Sequence, residues 1–218
     1  MVQSVVEIDE FLKKQASAAV KQGEDLRAAV RELTLNALRN RALTLAQIKQ
    51  VLKSVSAGVN VGAAKSKIDI DQVLEQAVAG MDDALLKAVQ ANHLALQQVA
   101  AAGQSFEQSQ VKKALQELER LEDEFLNAVK QASEGAPKSM RAHWANVLQQ
   151  KEVSGTEAGE QAAATMKAFA ERTQSAMRDQ RRAGAKAAQA FSQNFATLAS
   201  GLLTGLSKAL EQKRKQSE

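Results

Sequence analysis

The chain has no cysteine, no tyrosine and a single proline among its 218 residues. Without cysteine there is no disulfide, no thiolate nucleophile and no thiolate metal site. With one proline, 11 glycines, six phenylalanines and one tryptophan, it is also poor in turn residues and in the aromatic residues that favour strands. Long apolar runs are missing: nowhere do 18 apolar residues follow one another, so no segment reads as a transmembrane helix. The opening "MVQSVVEIDEFLKKQ" carries acids early and lacks an apolar h-region, so it does not read as a secretory signal. A cytoplasmic protein is the resulting expectation.

What is present points one way. The sequence contains 41 Ala and 24 Gln, both good helix formers. An all-α fold is expected, an elongated bundle of long antiparallel helices with few breaks. The net charge of +4 is unevenly spread. Residues 1–62 carry nine basic and six acidic side chains, residues 63–135 seven and twelve, and residues 136–218 thirteen and seven. A basic C-terminal part is suited to an anionic surface or to the acidic middle of another copy, although a solvated helix surface has the same composition.

Helical periodicity divides the chain. Leu26, Val30, Leu33 and Ala37 recur at helical spacing in a first region over about 7–41, broken or kinked at Gly23. Thr44 with Gln47 forms a capping-box pattern ahead of a face of Leu45, Ile48, Val51, Leu52 and Val55. Gly58 and Gly62 in "SAGVNVGAAKSK" read as a loose connection. A long helix then starts at Asp69 or Asp71 and ends at Gly103, with Leu74, Val78, Met81, Leu85, Ala88, Asn92, Leu96 and Val99 along one face. Ser105 or Ser109 caps the next, whose seam runs through Val111, Leu115, Leu118, Leu121 or Glu122, Phe125 and Val129. "SEGAPKS" is the clearest boundary, since Gly135 permits positive φ and Pro137 forbids helix continuation. It separates an N-terminal helical bundle (1–135) from a C-terminal region (138–218). The latter holds a short helix with Trp144 and Val147, then a long amphipathic one over about 157–213. Unbroken, such a helix reaches roughly 85 Å; Gly184 and Gly201 are candidate kinks.

Ala187–Ser207, "AAQAFSQNFATLASGLLTGLS", is uncharged across 21 residues and bracketed by Lys186 and Lys208. At about 100° per residue, Phe191, Phe195, Leu198, Leu202, Leu206 and Leu210 share one side, while Ser200, Thr204, Ser207, Lys208 and Glu211 lie opposite. Eight Ser, Thr, Asn and Gln side chains within it argue against a membrane span. Phe191 and Leu202 are 11 residues apart, as are Met166, Met177 and Ala188, close to the period of a straight helix. Gly201 and Gly205 form a GxxxG pair that permits close helix approach. The face suits either the inside of a bundle, coiled-coil contacts included, or an apolar surface bound by area rather than charge.

Convergent chemistry is scarce. His93 and His143 belong to no HExxH or ExxH; Gln90 and Met140 stand where a di-iron bundle places Glu. "ELERLEDEF" reads as a charged helix face with Lys112, Lys113 and Arg120 as intrahelical partners. "GVNVG" lacks the strand and third glycine of a dinucleotide fingerprint. No catalytic residue, metal or cofactor is expected. "RELTLNALRNRALTLAQIKQVL" is loosely like a helix-turn-helix, but Arg27, Arg31, Arg39 and Arg41 precede the turn. Arg178, Arg181 and Arg182 in "RDQRRAG" are candidate contacts to an anionic partner. Nucleic acid is the least favoured partner, because the net charge is modest.

Through "VRELTLNALRNRAL", "HLALQQVAAAGQSF", "LQELERLEDEFL" and "SGTEAGEQAAA", the whole chain resembles members of an uncharacterised bacterial all-α family, which implies no activity. In size, absence of Cys, Ala/Gln-rich helices and a Phe-containing C-terminal amphipathic helix it also resembles phasins. That resemblance implies a granule-associated protein that coats polyhydroxyalkanoate inclusions and self-associates. The expectation is a non-enzymatic coat or scaffold, homo-oligomeric, cytoplasmic or associated with a granule or membrane surface. It would bind through Phe191, Phe195, Leu198, Leu202, Leu206 and Leu210. A soluble helical scaffold or regulator binding a protein partner is the alternative, and a DNA-associated protein the third.

Overall fold

A computed structural model describes residues 5–22, 25–39, 44–101 and 109–180. They form α1 (Val5–Gln22), α2 (Leu26–Arg39), α3 (Leu45–Ala63), α4 (Ile70–Ala101), α5 (Ser109–Glu119), α6 (Leu121–Glu134), α7 (Lys138–Ser154) and α8 (Glu157–Gln180). No strand occurs among the described residues, and the fold is an all-α bundle. Its apolar core is continuous from Leu12 in α1 to Phe169 in α8. Of the periodic face read in α4, Leu74, Val78, Met81, Leu85, Ala88 and Leu96 are buried. So are Ile48, Val51, Leu52 and Val55 of α3, and Leu118, Leu121, Phe125 and Val129 of α5 and α6.

The side chains that meet fix the helix directions. Lys13 and Ala16 of α1 lie at Gly58 of α3, and Ser17 and Val20 lie one turn on at Gly62, so α1 and α3 are parallel. Lys49 meets Glu124 and Asn60 meets Ala132, which makes α6 parallel to α3. In α4, Asp71 meets His143 of α7, Asp82 meets Ala158 of α8, and the His93–Gln97 turn meets Thr165–Phe169. Helices α7 and α8 therefore follow one another along α4, whose 32 residues span about 48 Å. Their joint, Gly155–Thr156, falls at Asp82.

Four local readings are corrected. Gly58 and Gly62 are not a loose connection: α3 continues to Ala63, and both glycines are buried where α1 crosses. A Cβ at Gly58 would lie 2.7 Å from the Cβ of Ala16, and one at Gly62 would lie 2.7 Å from that of Val20. The glycines are there to let two helices touch, not to break one. Thr44 does stand at the N-cap of α3, but its side chain makes no capping bond, and Gln47 Oε1 is buried without a hydrogen-bond partner, so no capping box forms. The seam expected to be one helix from Val111 breaks at Arg120 (φ −97°, ψ −1°) into α5 and α6. Gly135 has φ −78°; the positive φ is instead at Gly155, +76°.

Asp69 caps α4 as expected, its Oδ1 accepting the Asp71 N–H at 3.0 Å. Asp25 does the same for α2, accepting from Ala28 N–H at 3.2 Å, with its own φ at +34°.

Candidate functional site

Phe191, Phe195, Leu198, Leu202, Leu206 and Leu210, with Arg181 and Arg182, lie outside the described residues. Arg178 is in the last turns of α8. What the structure does describe is how the helix leading to them is fastened to the bundle.

That fastening starts from an exacting requirement. A helix begins with backbone N–H groups that have no partner inside the helix, and a buried helix start has to find them elsewhere. At α8 each one is met. The Thr156 N–H donates to Glu122 Oε1 at 2.8 Å, and the Thr156 hydroxyl donates to the same oxygen at 3.2 Å. The Glu157 N–H donates to Asp82 Oδ2 and the Ala158 N–H to Asp82 Oδ1, both at 3.0 Å. The Gly159 N–H donates to Thr156 Oγ1 at 2.9 Å, the side-chain bond of a threonine N-cap. From Glu160 onward the helix serves itself, beginning with the Thr156 carbonyl at 3.0 Å.

Two carboxylates from different helices thus close on one helix start. Asp82 is only 2% exposed, and its charge is offset by the positive end of the α8 dipole and by Lys151 Nζ at 3.7 Å. Lys151 itself stands in the last turn of α7, where a cation is favoured. The Glu122 carboxyl lies against Gly159: a Cβ there would be 2.5 Å from the carboxyl carbon, so a side chain at this position would push the carboxyl aside.

A second polar centre joins three helices. Trp144 of α7 is fully buried, and its Nε1–H donates to Asn60 Oδ1 at 2.7 Å. Asn60 Nδ2 in turn donates to the Ala132 carbonyl at 2.9 Å. His143 Nδ1 lies 2.7 Å from Asp71 Oδ1. Asn60 is also at the floor of an open trough of about 1320 Å³ between α1, α3 and α6, edged by Lys13, Lys53, Lys65 and Glu134.

Trp144 and Val147 do stand in a short helix, α7, as the sequence suggests, and both are buried. Sequence reading passed over Asp82, Glu122 and Asn60 as agents of folding. A signal for Asp82 was present: it follows Met81, whose next partner on the face read from the sequence is Leu85, so Asp82 borders that face. The Glu117–Glu124 run does not simply face its own helix. Glu124 pairs with Lys49 of α3 at 2.9 Å as well as with Arg120, and these hold its carboxyl below the ordinary range, the Lys49 hydrogen bond most. Burial pushes the Glu117 carboxyl up, and Lys113 opposes the shift.

Of the arginines considered for an anionic partner, Arg27 forms a two-pronged pair with Asp83 of α4 (2.7 and 2.6 Å), which raises its already high pKa. Arg31 contacts Glu32 at 3.3 Å. Both are engaged within the bundle. Among the described residues no group of three or more His, Cys, Asp or Glu is placed to hold a metal ion, and no helix is long and apolar enough to cross a membrane.

No curated protein and no solved structure matches the chain. Residues 3–212 match the family model described as "Family of unknown function (DUF6781)", and the chain belongs to that family.

Proposed function

We propose that the protein is a non-enzymatic coat or scaffold that binds an apolar surface, such as a storage granule or lipid, through Phe191, Phe195, Leu198, Leu202, Leu206 and Leu210. The observation that carries this reading is the uncharged stretch Ala187–Ser207. Its sequence at helical spacing would put large apolar side chains on one side and Ser, Thr and Gln on the other, the pattern of a helix that lies in an interface by area rather than by charge. Two features of the bundle support it. The described residues already supply a continuous core from Leu12 to Phe169, and α8, which leads to the stretch, is fastened firmly at its start.

Co-flotation with neutral liposomes and with apolar polymer particles tests the proposal. The wild-type chain is expected to float, and Leu198→Glu and Leu202→Glu to remain behind while keeping the wild-type melting temperature. Raising salt is expected to change flotation little. If the wild-type chain stays behind and the Glu variants melt early, the stretch is core and the surface reading fails. The second reading, a scaffold for a protein partner, draws on the trough between α1, α3 and α6. It predicts that substitutions at Lys53 and Lys65, not at Leu198, remove partner binding.

A further inference from the structure

Helix α3 is enclosed almost all the way round. From Ile48 to Ala63 only Lys53 and Val61 are exposed. A helix with apolar or small side chains on every side belongs inside a fold, with a neighbour at each face. Helix α1 covers it at Gly58 and Gly62, and α6 covers it through Lys49 and Asn60. Helix α4 meets it where the Ser56 hydroxyl points at the Met81 sulfur, 3.5 Å away. One stripe has no neighbour among the described residues. Lys53, Ala57, Val61 and Ala64 follow at helical spacing along the floor of the trough between α1 and α6, and Val61 is 48% exposed there. From Gln50 to Ala64 the floor runs about 21 Å, the length of four turns of one more helix.

Charge says which helix fits. On the α1 lip the charged groups are engaged: Lys13 Nζ pairs with Glu10 at 2.7 Å, and Asp9 accepts a hydrogen bond from Gln50 at 2.6 Å. Lys53 and Lys65 are exposed, and neither has an ion-pair or hydrogen-bond partner among the described residues. Glu134, in the last turn of α6, is the acid on the opposite lip. Unpaired lysines beside a groove draw acids and repel other cations. The uncharged stretch Ala187–Ser207 is bracketed by Lys186 and Lys208, so it would bring cations to lysines.

We propose that the trough is a docking groove for an acidic amphipathic helix of a protein partner. Its apolar stripe lies on Ala57, Val61 and Ala64, and its Asp or Glu side chains stand beside Lys53 and Lys65, the helix-in-groove mode of recognition. The proposal rests on the scaffold reading given second above and names the chemistry of that partner.

The protein carries its own reporter. Trp144 is the single tryptophan, and its Nε1–H bonds Asn60 in the trough floor. Full-length protein is titrated with three peptides of about 20 residues, long enough to hold a helix in water. All lack tryptophan and share one stripe of Leu and Ala at spacings of three and four. The first is flanked by Glu, the second by Lys, and the third is the first with a central proline. The Glu peptide is expected to shift Trp144 emission and to bind at least about tenfold tighter than the Lys peptide at low salt, a gap that narrows as salt rises. The proline peptide is expected to bind at least about tenfold more weakly than its parent. Lys53→Glu with Lys65→Glu, with folding checked by circular dichroism, is expected to reverse the order of the Glu and Lys peptides. Equal binding of those two, or an order that the charge swap leaves in place, overturns the acidic chemistry and keeps the scaffold reading. Undiminished binding of the proline peptide overturns helix docking. Binding by none of the three overturns the docking groove and removes the scaffold reading with it. Tighter binding of a peptide of residues 186–208 assigns the trough to the chain's own stretch and overturns the partner.

Discussion

Two glycines in this bundle have opposite prospects, and their surroundings say why. At Gly58 a Cβ would press on the Lys13 carbonyl oxygen and lie 2.7 Å from the Ala16 Cβ, atoms that are fixed by the α1 backbone. Gly58→Ala is expected to destabilise by about 1–3 kcal/mol, the usual penalty of overpacking, read as a lower urea midpoint with unchanged slope. At Gly135 the nearest atom to such a Cβ is 3.6 Å away and φ is −78°. There Gly135→Ala is expected to be neutral or to stabilise by about 0.4–1 kcal/mol through the unfolded chain. Asn60 supplies a third test. Asn60→Leu removes the acceptor of the buried Trp144 Nε1–H and the donor to the Ala132 carbonyl. A loss of about 1–3 kcal/mol is expected for the unpaired groups, with a change in tryptophan fluorescence that Gly58→Ala does not produce.

Between elements, the acidic run on α5 and α6 gives stability two opposite dependences on pH. Glu124 has a folded pKa below its unfolded value. Its contribution is therefore present above the unfolded pKa and lost as pH falls through the folded one. The pair with Lys49 is partly exposed, so about 0.2–1 kcal/mol is at stake; Lys49→Met is expected to lower stability at pH 7 and leave it unchanged at pH 2–3, in paired urea titrations. Glu117 is shifted upward by burial. Its contribution is present below the unfolded pKa and lost as pH rises through the folded one, so Glu117→Gln is expected to raise stability at pH 7 but not in acid. These elements also show what a sequence reveals and what it hides. The apolar faces of α3 and α4 were legible because a repeat of three and four has one structural meaning. The Arg120 break was not, since its alternative, one longer helix, has the same periodicity. Gly58 and Gly62 were misread because a glycine that ends a helix and one that admits a neighbour are the same letter, and only the position of α1 distinguishes them. Asp82 and Glu122 act on Thr156, Glu157 and Ala158, which lie 34 to 76 residues away, beyond the reach of any local pattern.

At the scale of the molecule, the question is what a coat requires of a chain with this charge distribution. The acidic excess lies in residues 63–135 and the basic excess in 136–218. Helices α7 and α8 run beside α4 in the same direction, so part of that attraction is met within one copy, as in Lys151 with Asp82. Arg181, Arg182 and the run Lys213–Arg214–Lys215 come later in the sequence. If copies associate through the Phe and Leu face alone, association is driven by apolar area and is little changed by salt. If the basic end of one copy meets the acidic middle of another, association weakens as salt screens the charges. We propose that the apolar face dominates. Sedimentation equilibrium of the wild-type chain is then expected to give a mass above the 23.4 kDa of one copy, hardly altered by salt. Leu202→Glu should shift the mass towards the monomer, whereas Arg181→Ala with Arg182→Ala should leave it in place. A monomer at all concentrations would remove self-association from the coat reading. A mass that falls steeply with salt and with the arginine substitutions would transfer the interface to the charged segments.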